Sequence, residues 1–142
     1  MNKIIHGDCL EVMKTLEDNS IDMVLTSPPY DNLRDYDGYT FDFEGIAKEI
    51  FRVLKQGGVC VWVVGDATIK GSETGTSFKQ ALYFKEIGFN LHDTMIFQKK
   101  NPIPQIYRKR YNNIFEYMFV FSKGEVKTHN PIEIDCLHAG LE

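Results

Sequence analysis

Ile46-Ala47-Lys48-Glu49-Ile50-Phe51-Arg52-Val53-Leu54-Lys55-Gln56-Gly57-Gly58-Val59-Cys60-Val61-Trp62-Val63-Val64 changes its period halfway along. Ile46, Ala47, Ile50, Phe51 and Leu54 recur at helical spacing and predict an amphipathic helix, closed by Gly57-Gly58. Residues 59–64 are apolar without a break, the pattern of a strand buried on both faces.

Toward the N-terminus, residues 21–26 predict another buried strand, stopped by Pro28-Pro29. Before it, Asp8 stands at an N-cap with Glu11 three residues on, and Leu10, Met13 and Leu16 share one helical face. Residues 3–6 predict a short strand ending at Gly7, and residues 31–43 read as a polar, aromatic loop. Toward the C-terminus, residues 65–75 form a Gly/Ser/Thr loop. Phe78, Ala81, Leu82 and Ile87 then predict a helix ending at Gly88. Strands are predicted at 94–98 and 114–122, joined by a loop that carries Pro102 and Pro104, with Lys123-Gly124 as the closing turn. Strand–helix alternation argues for a layered α/β sheet. No helix separates the last two strands, so an antiparallel pair is expected at one edge. One domain is expected, its core in residues 1–124, with 125–142 as an irregular tail.

With 142 residues, 43% apolar and 13% aromatic, the chain can bury a core. Cys9, Cys60 and Cys136 are far apart and lack metal-ligand spacing, which predicts free thiols in a reducing compartment and no zinc site. The first residues are too poor in apolar side chains for a signal peptide, and the apolar run 59–64 is far below the ~20 residues of a membrane helix. A soluble, cytoplasmic protein without a membrane partner is therefore expected. The net charge of −4 argues against a nucleic-acid partner, but its distribution is uneven. Residues 1–50 carry 4 Lys/Arg against 11 Asp/Glu, whereas 51–142 carry 12 against 9. Lys99, Lys100, Arg108, Lys109 and Arg110 lie in a stretch, 94–115, with no acidic residue, a basic loop compatible with DNA binding.

The sharpest chemical signal is Thr26-Ser27-Pro28-Pro29-Tyr30, directly after a buried strand. Ligands of open α/β sheets bind at the carboxyl ends of strands. The exocyclic amino group of a base is a poor nucleophile, because its lone pair is delocalised into the ring. Two acceptors aimed at its hydrogens would draw it toward tetrahedral geometry, and Ser27 Oγ and the Pro28 carbonyl can supply them. Both prolines have φ locked near −65°, which stiffens that carbonyl before substrate arrives. Tyr30 offers a flat face on which an extruded base can stack. A bare proline pair in such a place is more often only a turn.

Ser27-Pro28-Pro29-Tyr30 resembles the catalytic tetrapeptide of the DNA N4-cytosine/N6-adenine amino-methyltransferases. Three flanking segments are similar to the same family, in the order of its permuted, beta-type members. They are His6-Gly7-Asp8-Cys9-Leu10-Glu11-Val12-Met13, Leu54-Lys55-Gln56-Gly57-Gly58-Val59 with Val61-Trp62-Val63, and Asn112-Asn113-Ile114-Phe115-Glu116-Tyr117-Met118-Phe119-Val120-Phe121-Ser122-Lys123-Gly124. The likeness covers residues 4–124. It implies a three-layer Rossmann-like methyltransferase sheet, S-adenosylmethionine as cofactor and double-stranded DNA as substrate, in a restriction-modification or phage setting. It implies Asp8, Cys9 and Ser27 as cofactor-binding and Ser27, Pro28, Pro29 and Tyr30 as the target-base pocket. The loop 31–42 is a candidate cover for the substrate, and Asp66 is a weaker site candidate. Serine at the first motif position leans toward cytosine N4 over adenine N6.

Nothing after Lys123 resembles the family's Phe-x-Gly-x-Gly cofactor segment. The sheet is therefore expected to be incomplete and the chain to be the N-terminal catalytic part: either the sequence is a truncated piece that continues past residue 142, or a second copy or a second chain completes the cofactor site. Two other readings share the fold. One is a partner-dependent or non-catalytic DNA-binding remnant. The other is a methyltransferase for protein glutamine or another amine, with serine in place of that group's asparagine.

Overall fold

The computed structural model describes residues 2–29, 41–102 and 110–131. Four strands form one mixed sheet in the order β1-β2-β6-β5: β1 Ile21–Thr26, β2 Leu54–Val64, β5 Asn90–Gln98 and β6 Phe115–Ser122. β3 Thr68–Ile69 and β4 Ser72–Glu73 form a separate small hairpin. The helices are α1 Cys9–Lys14, α2 Phe43–Val53 and α3 Thr76–Glu86. β1 runs parallel to β2, and β6 is antiparallel to both β2 and β5. The expected antiparallel pair is thus present at one edge.

Helices α2 and α3 both lie on one face of the sheet. On β2, Cys60, Trp62 and Val64 are buried toward them, while Val59, Val61 and Val63 on the other face are half-buried. Trp62 sits edge-on to Phe43 of α2 and Phe84 of α3, at 5.9 and 5.1 Å. Its indole N–H donates to Gln80 Oε1 at 2.9 Å, so no buried donor is orphaned. Phe84 in turn stacks on Phe121 at 4.5 Å. Residues 59–64 are therefore not covered equally on both faces. The unbroken apolar run reflects a second face that no described helix covers.

The glycine pair also does something other than close α2. The helix ends at Val53 and the strand begins at Leu54. Gly57, at φ +80°, belongs to a bulge of residues 55–58, where its N–H donates to the Lys123 carbonyl at 2.7 Å. Lys123 caps the end of the helix. Its Nζ donates to the carbonyls of Phe51 (2.6 Å) and Leu54 (2.9 Å) and to Asn19 Oδ1 (3.0 Å), and lies 4.7 Å over the Phe51 ring. Burial lowers its pKa from the ordinary lysine value. These acceptors satisfy a cation that would otherwise be costly to bury.

The strand expected at residues 3–6 does not form, and Ile4 is 98% exposed. A four-residue run gains little unless a sheet edge accepts its backbone, and no described strand lies beside it. β5 begins earlier than the expected 94, because pairing with β6 recruits the polar residues Asn90, His92 and Asp93 across a bulge. No helix among the described residues is long and apolar enough to cross a membrane.

Candidate functional site

The strand directions bring four chain segments to one rim of the sheet. Thr26 pairs with Trp62, Val64 with Tyr117, and Gln98 with Phe115. The carboxyl ends of β1, β2 and β5 and the amino end of β6 therefore point the same way. Ser27-Pro28-Pro29 leaves β1 at this rim, with Ser27 exposed, Pro28 buried and Pro29 half-buried. Burying Pro28 anchors the tetrapeptide in the fold while its serine faces outward.

Asp8 and Cys9 approach from α1. Asp8 caps that helix, its Oδ1 accepting the N–H groups of Leu10 (2.9 Å) and Glu11 (3.2 Å). Leu10 packs beside Gly45 near the start of α2, whereas the Met13 and Leu16 carbonyls accept from Arg52 near its end. The two helices thus run the same way, and α2 starts at the rim, where Phe43 meets Trp62. Asp8 and Cys9 stand toward that same end, both exposed. Arg52 fixes this arrangement: it also pairs with Glu49 and Asp18, and these two carboxylates, Glu49 first, raise its pKa.

Asp66, just past β2, is held inside the rim rather than offered to solvent. Its Oδ1 accepts the Ser77 N–H at 2.9 Å and the Thr74 hydroxyl at 3.2 Å, and its Oδ2 accepts the Ser77 hydroxyl. Ser77 is completely buried. Gly75, the N-cap of α3, has no side chain to satisfy that helix's first amides, so Asp66 supplies the acceptor from the neighbouring strand. Sequence reading singled out Asp66 but not Ser77 or Thr74. The signal available was a hydroxyl-rich segment opening a helix whose cap is glycine. A small cleft lies beside Asp66, lined by Glu73, Asn113, Glu116 and Tyr117.

Of the basic loop, Lys99, Lys100 and Arg110 are described. Lys99 pairs with Glu116 at 2.6 Å, and Arg110 pairs with Glu73 at 3.2 Å while donating to the Gly71 carbonyl at 2.7 Å. Lys100 is exposed. Tyr30, Arg108, Lys109, Cys136 and most of the 31–42 loop lie outside the described residues. Among those described, no group of His, Cys, Asp and Glu is placed to hold a metal ion, and Cys9 and Cys60 are free thiols.

A mixed sheet carrying its motif on the carboxyl-end rim defines the class: this is the Rossmann-like fold of the S-adenosylmethionine-dependent methyltransferases. PvuII DNA methyltransferase (cytosine-N4-specific) superposes with a TM-score of 0.70 at 25% identity, over 84% of this chain and 48% of that one. A putative DNA modification methylase from Thermus thermophilus, solved in complex with S-adenosyl-L-methionine, shares the fold at a TM-score of 0.65 and 24% identity, over 89% of this chain and 57% of its own. The DNA methylase family matches residues 21–136, and the chain belongs to that family. It is 62% identical over 118 residues to the orphan methyltransferase M.BamHII of Bacillus amyloliquefaciens, a stretch covering 82% of this chain and 44% of that protein. Against the type II beta methyltransferase M.BslI of Bacillus sp. (strain NEB-606) the identity is 33%, over 85% of this chain and 16% of the relative. The chain thus spans less than half the length of these curated relatives.

Proposed function

We propose that this chain is the target-base half of an S-adenosylmethionine-dependent DNA methyltransferase acting on the exocyclic amino group of a flipped base, with cytosine N4 favoured over adenine N6. The observation that carries the reading is Ser27-Pro28-Pro29 at the carboxyl end of β1, with Pro28 buried and Ser27 outward. Serine at this position and the cytosine-N4 specificity named for the PvuII enzyme favour cytosine.

The described residues fit part of a cofactor site. Exposed Asp8 and Cys9 stand toward the motif's rim, while beyond β1 no described strand continues that rim. When bound, S-adenosylmethionine supplies an electrophilic methyl group on sulfur. Asp8 is assigned to the neighbourhood of the cofactor's adenine amino group, with Cys9 beside it, and Ser27 to the neighbourhood of the methyl donor. Ser27 Oγ and the Pro28 carbonyl accept the amino hydrogens of the base and localise its lone pair. Tyr30 stacks on the extruded ring. Lys99, Lys100, Arg108, Lys109 and Arg110 meet the backbone of double-stranded DNA; Lys99 and Arg110 would exchange Glu116 and Glu73 for phosphates. Residues 1–124 are assigned to the catalytic core.

The test is expression in a methylation-deficient host, with the genomic DNA digested to nucleosides for mass spectrometry. Because the chain spans under half of its relatives, a second arm co-expresses the part of M.BamHII outside the aligned region. N4-methylcytosine above the empty-vector level, lost in Ser27→Ala, is expected in one of the two arms. N6-methyladenine alone would reassign the base. Neither product in either arm, with both chains soluble, would overturn the proposal.

A further inference from the structure

The β3–β4 hairpin rises from the carboxyl end of β2, the strand beside the one that leads into Ser27. Thr68 pairs with Glu73 and Ile69 with Ser72, leaving Lys70 and Gly71 as a two-residue turn. Both turn residues have positive φ, +49° and +83°, as a type I′ hairpin turn requires. Asparagine or glycine ordinarily fills the first of these positions. A lysine is strained there, because its Cβ crowds the following carbonyl. The tip stands in the open: a Cβ built on Gly71 would meet nothing within 4 Å among the described residues, and Ile69 is 59% exposed. A two-stranded hairpin is marginal by itself, and this one is braced at both ends. At its base the Thr74 N–H donates to the Ala67 carbonyl at 2.9 Å and the Thr74 hydroxyl to Asp66 at 3.2 Å. At its tip Arg110, from the end of the basic loop, donates through Nη1 to the Gly71 carbonyl at 2.7 Å and through Nη2 to Glu73 at 3.2 Å.

We propose that the tip of this hairpin is a DNA-contacting element: Lys70 pairs with a backbone phosphate of the duplex beside the extruded base, and Ile69 packs against the groove. The inference rests on the reading of the substrate as double-stranded DNA. A cation next to an exposed apolar side chain, on a projection held rigid from below, suits that surface. The charge meets the backbone, and the apolar group meets sugar and base edges. One exposed isoleucine is ordinary by itself. The weight lies on the strained lysine and on the bracing. Strain of this kind costs stability and persists where the surrounding structure holds it, characteristically at binding sites. A turn that only reversed the chain would be better served by asparagine, and would not need a guanidinium from the basic loop. Bracing also spares the tip the cost of being ordered when it binds. The brace is compatible with a phosphate contact by Arg110, since Nη1 can keep the Gly71 carbonyl while Nη2 exchanges Glu73 for phosphate. The location agrees: a duplex whose base is drawn out toward Ser27 lies across the neighbouring strand ends, and the hairpin leaves the sheet at the next one.

The experiment titrates a fluorescently labelled DNA duplex with the 142-residue chain and reads anisotropy over a range of salt concentrations. Lys70→Asn removes the charge and supplies a residue the turn prefers, so thermal unfolding should be unchanged or shifted upward. It is expected to weaken binding about 8-fold at about 0.1 M salt and to lower the slope of log K against log salt by about 0.9, the release of one counterion fewer. Ile69→Thr keeps a β-branched strand residue and should weaken binding at least roughly 4-fold, more than the contribution of one buried methylene, with the slope unchanged. Lys85→Asn, in the last turn of α3 and so at the end of that helix away from the hairpin, should match the parent. Parent-like binding by Lys70→Asn or by Ile69→Thr, or an equal loss in Lys85→Asn, would overturn the proposal, as would a parent that does not bind the duplex. The methylated-nucleoside measurement judges the substrate reading separately: methylation by a protein indifferent to both tip variants would sink the hairpin contact and leave the enzyme standing.

Discussion

Asp66→Ala removes the acceptor that joins β2 to α3. Two groups of completely buried Ser77 lose their partner at once, the backbone N–H and the hydroxyl, together with the Thr74 hydroxyl. A hydrogen bond to a charged group contributes about 1.5–3 kcal/mol, and a buried donor left unsatisfied costs about 1–3 kcal/mol. The Ser77 hydroxyl can rotate to seek another acceptor, whereas its amide cannot. The estimate is therefore roughly 3 kcal/mol, not the sum of all contacts. Against the ~5–15 kcal/mol of a typical domain that is a large fraction, and it corresponds to a fall in Tm of roughly 10 °C at this size. Urea unfolding should show a lower midpoint at constant slope, and hydrogen exchange should show faster loss of the first α3 amides. Asp66→Asn keeps one carbonyl acceptor and should cost about half as much, since neutral bonds are weaker. Asp66→Ala within ~0.5 kcal/mol of the parent, or a destabilised protein with unchanged α3 exchange, would refute the assignment of Asp66 as the cap of α3.

Burial pushes the Cys60 thiol up to about 12 from 9.0. The unfolded chain then releases that proton from about pH 9 while the folded chain holds it, so stability falls as pH rises between about 9 and 12. Urea unfolding at about pH 8 and about pH 10.5 should show an alkaline loss, approaching ~1.4 kcal/mol per pH unit, that Cys60→Ala removes. Cys9 is exposed and Cys60 buried, so a thiol reagent in native buffer should label Cys9 and spare Cys60, as peptide mass mapping would read. Lys123→Met abandons the Phe51 and Leu54 carbonyls and Asn19, and should destabilise by about 2 kcal/mol in chemical denaturation. If the basic loop meets phosphates, Lys100→Ala in the DNA-binding form should reduce the slope of log K against log salt by about 1, equally on all sequences.

Much of the fold was legible because its signals are local. The period change after Leu54, the strand before Ser27 and the aromatic strand ending at Lys123-Gly124 each lie within a few residues of chain. What was not legible was decided across the fold. Nothing near Val53 announces that α2 stops there, and the side chain that caps its end, Lys123, is about seventy positions away. Gly57-Gly58 read as a helix terminator, but the helix already ends at Val53 and the glycines shape a bulge instead. Residues 59–64 read as doubly covered because hydrophobicity records that a face is apolar, not what lies on it. In the candidate site, the position of Ser-Pro-Pro was read correctly from the strand before it. The Ser77–Asp66 link was missed, since it joins a helix start to a strand end eleven residues earlier through a glycine-rich loop.

The strand order has a bearing on how the protein is made. β6 is the last of the described strands yet lies inside the sheet, between β2 and β5. Until residues 115–122 leave the ribosome, β5 has no neighbour and the Trp62 side of β2 lacks Phe119 and Phe121. A nascent chain ending before β6 can hold α1, β1, α2, β2 and α3 together, since α3 meets Trp62 through Gln80 and Phe84, but it cannot bring β5 into the sheet. β6 must thread between two waiting strands, pairing residue 59 with residue 122. Contacts so distant along the chain close slowly, so until β6 emerges the nascent chain should persist as a half-sheet, the period in which a chaperone or a neighbouring chain has most opportunity to engage it.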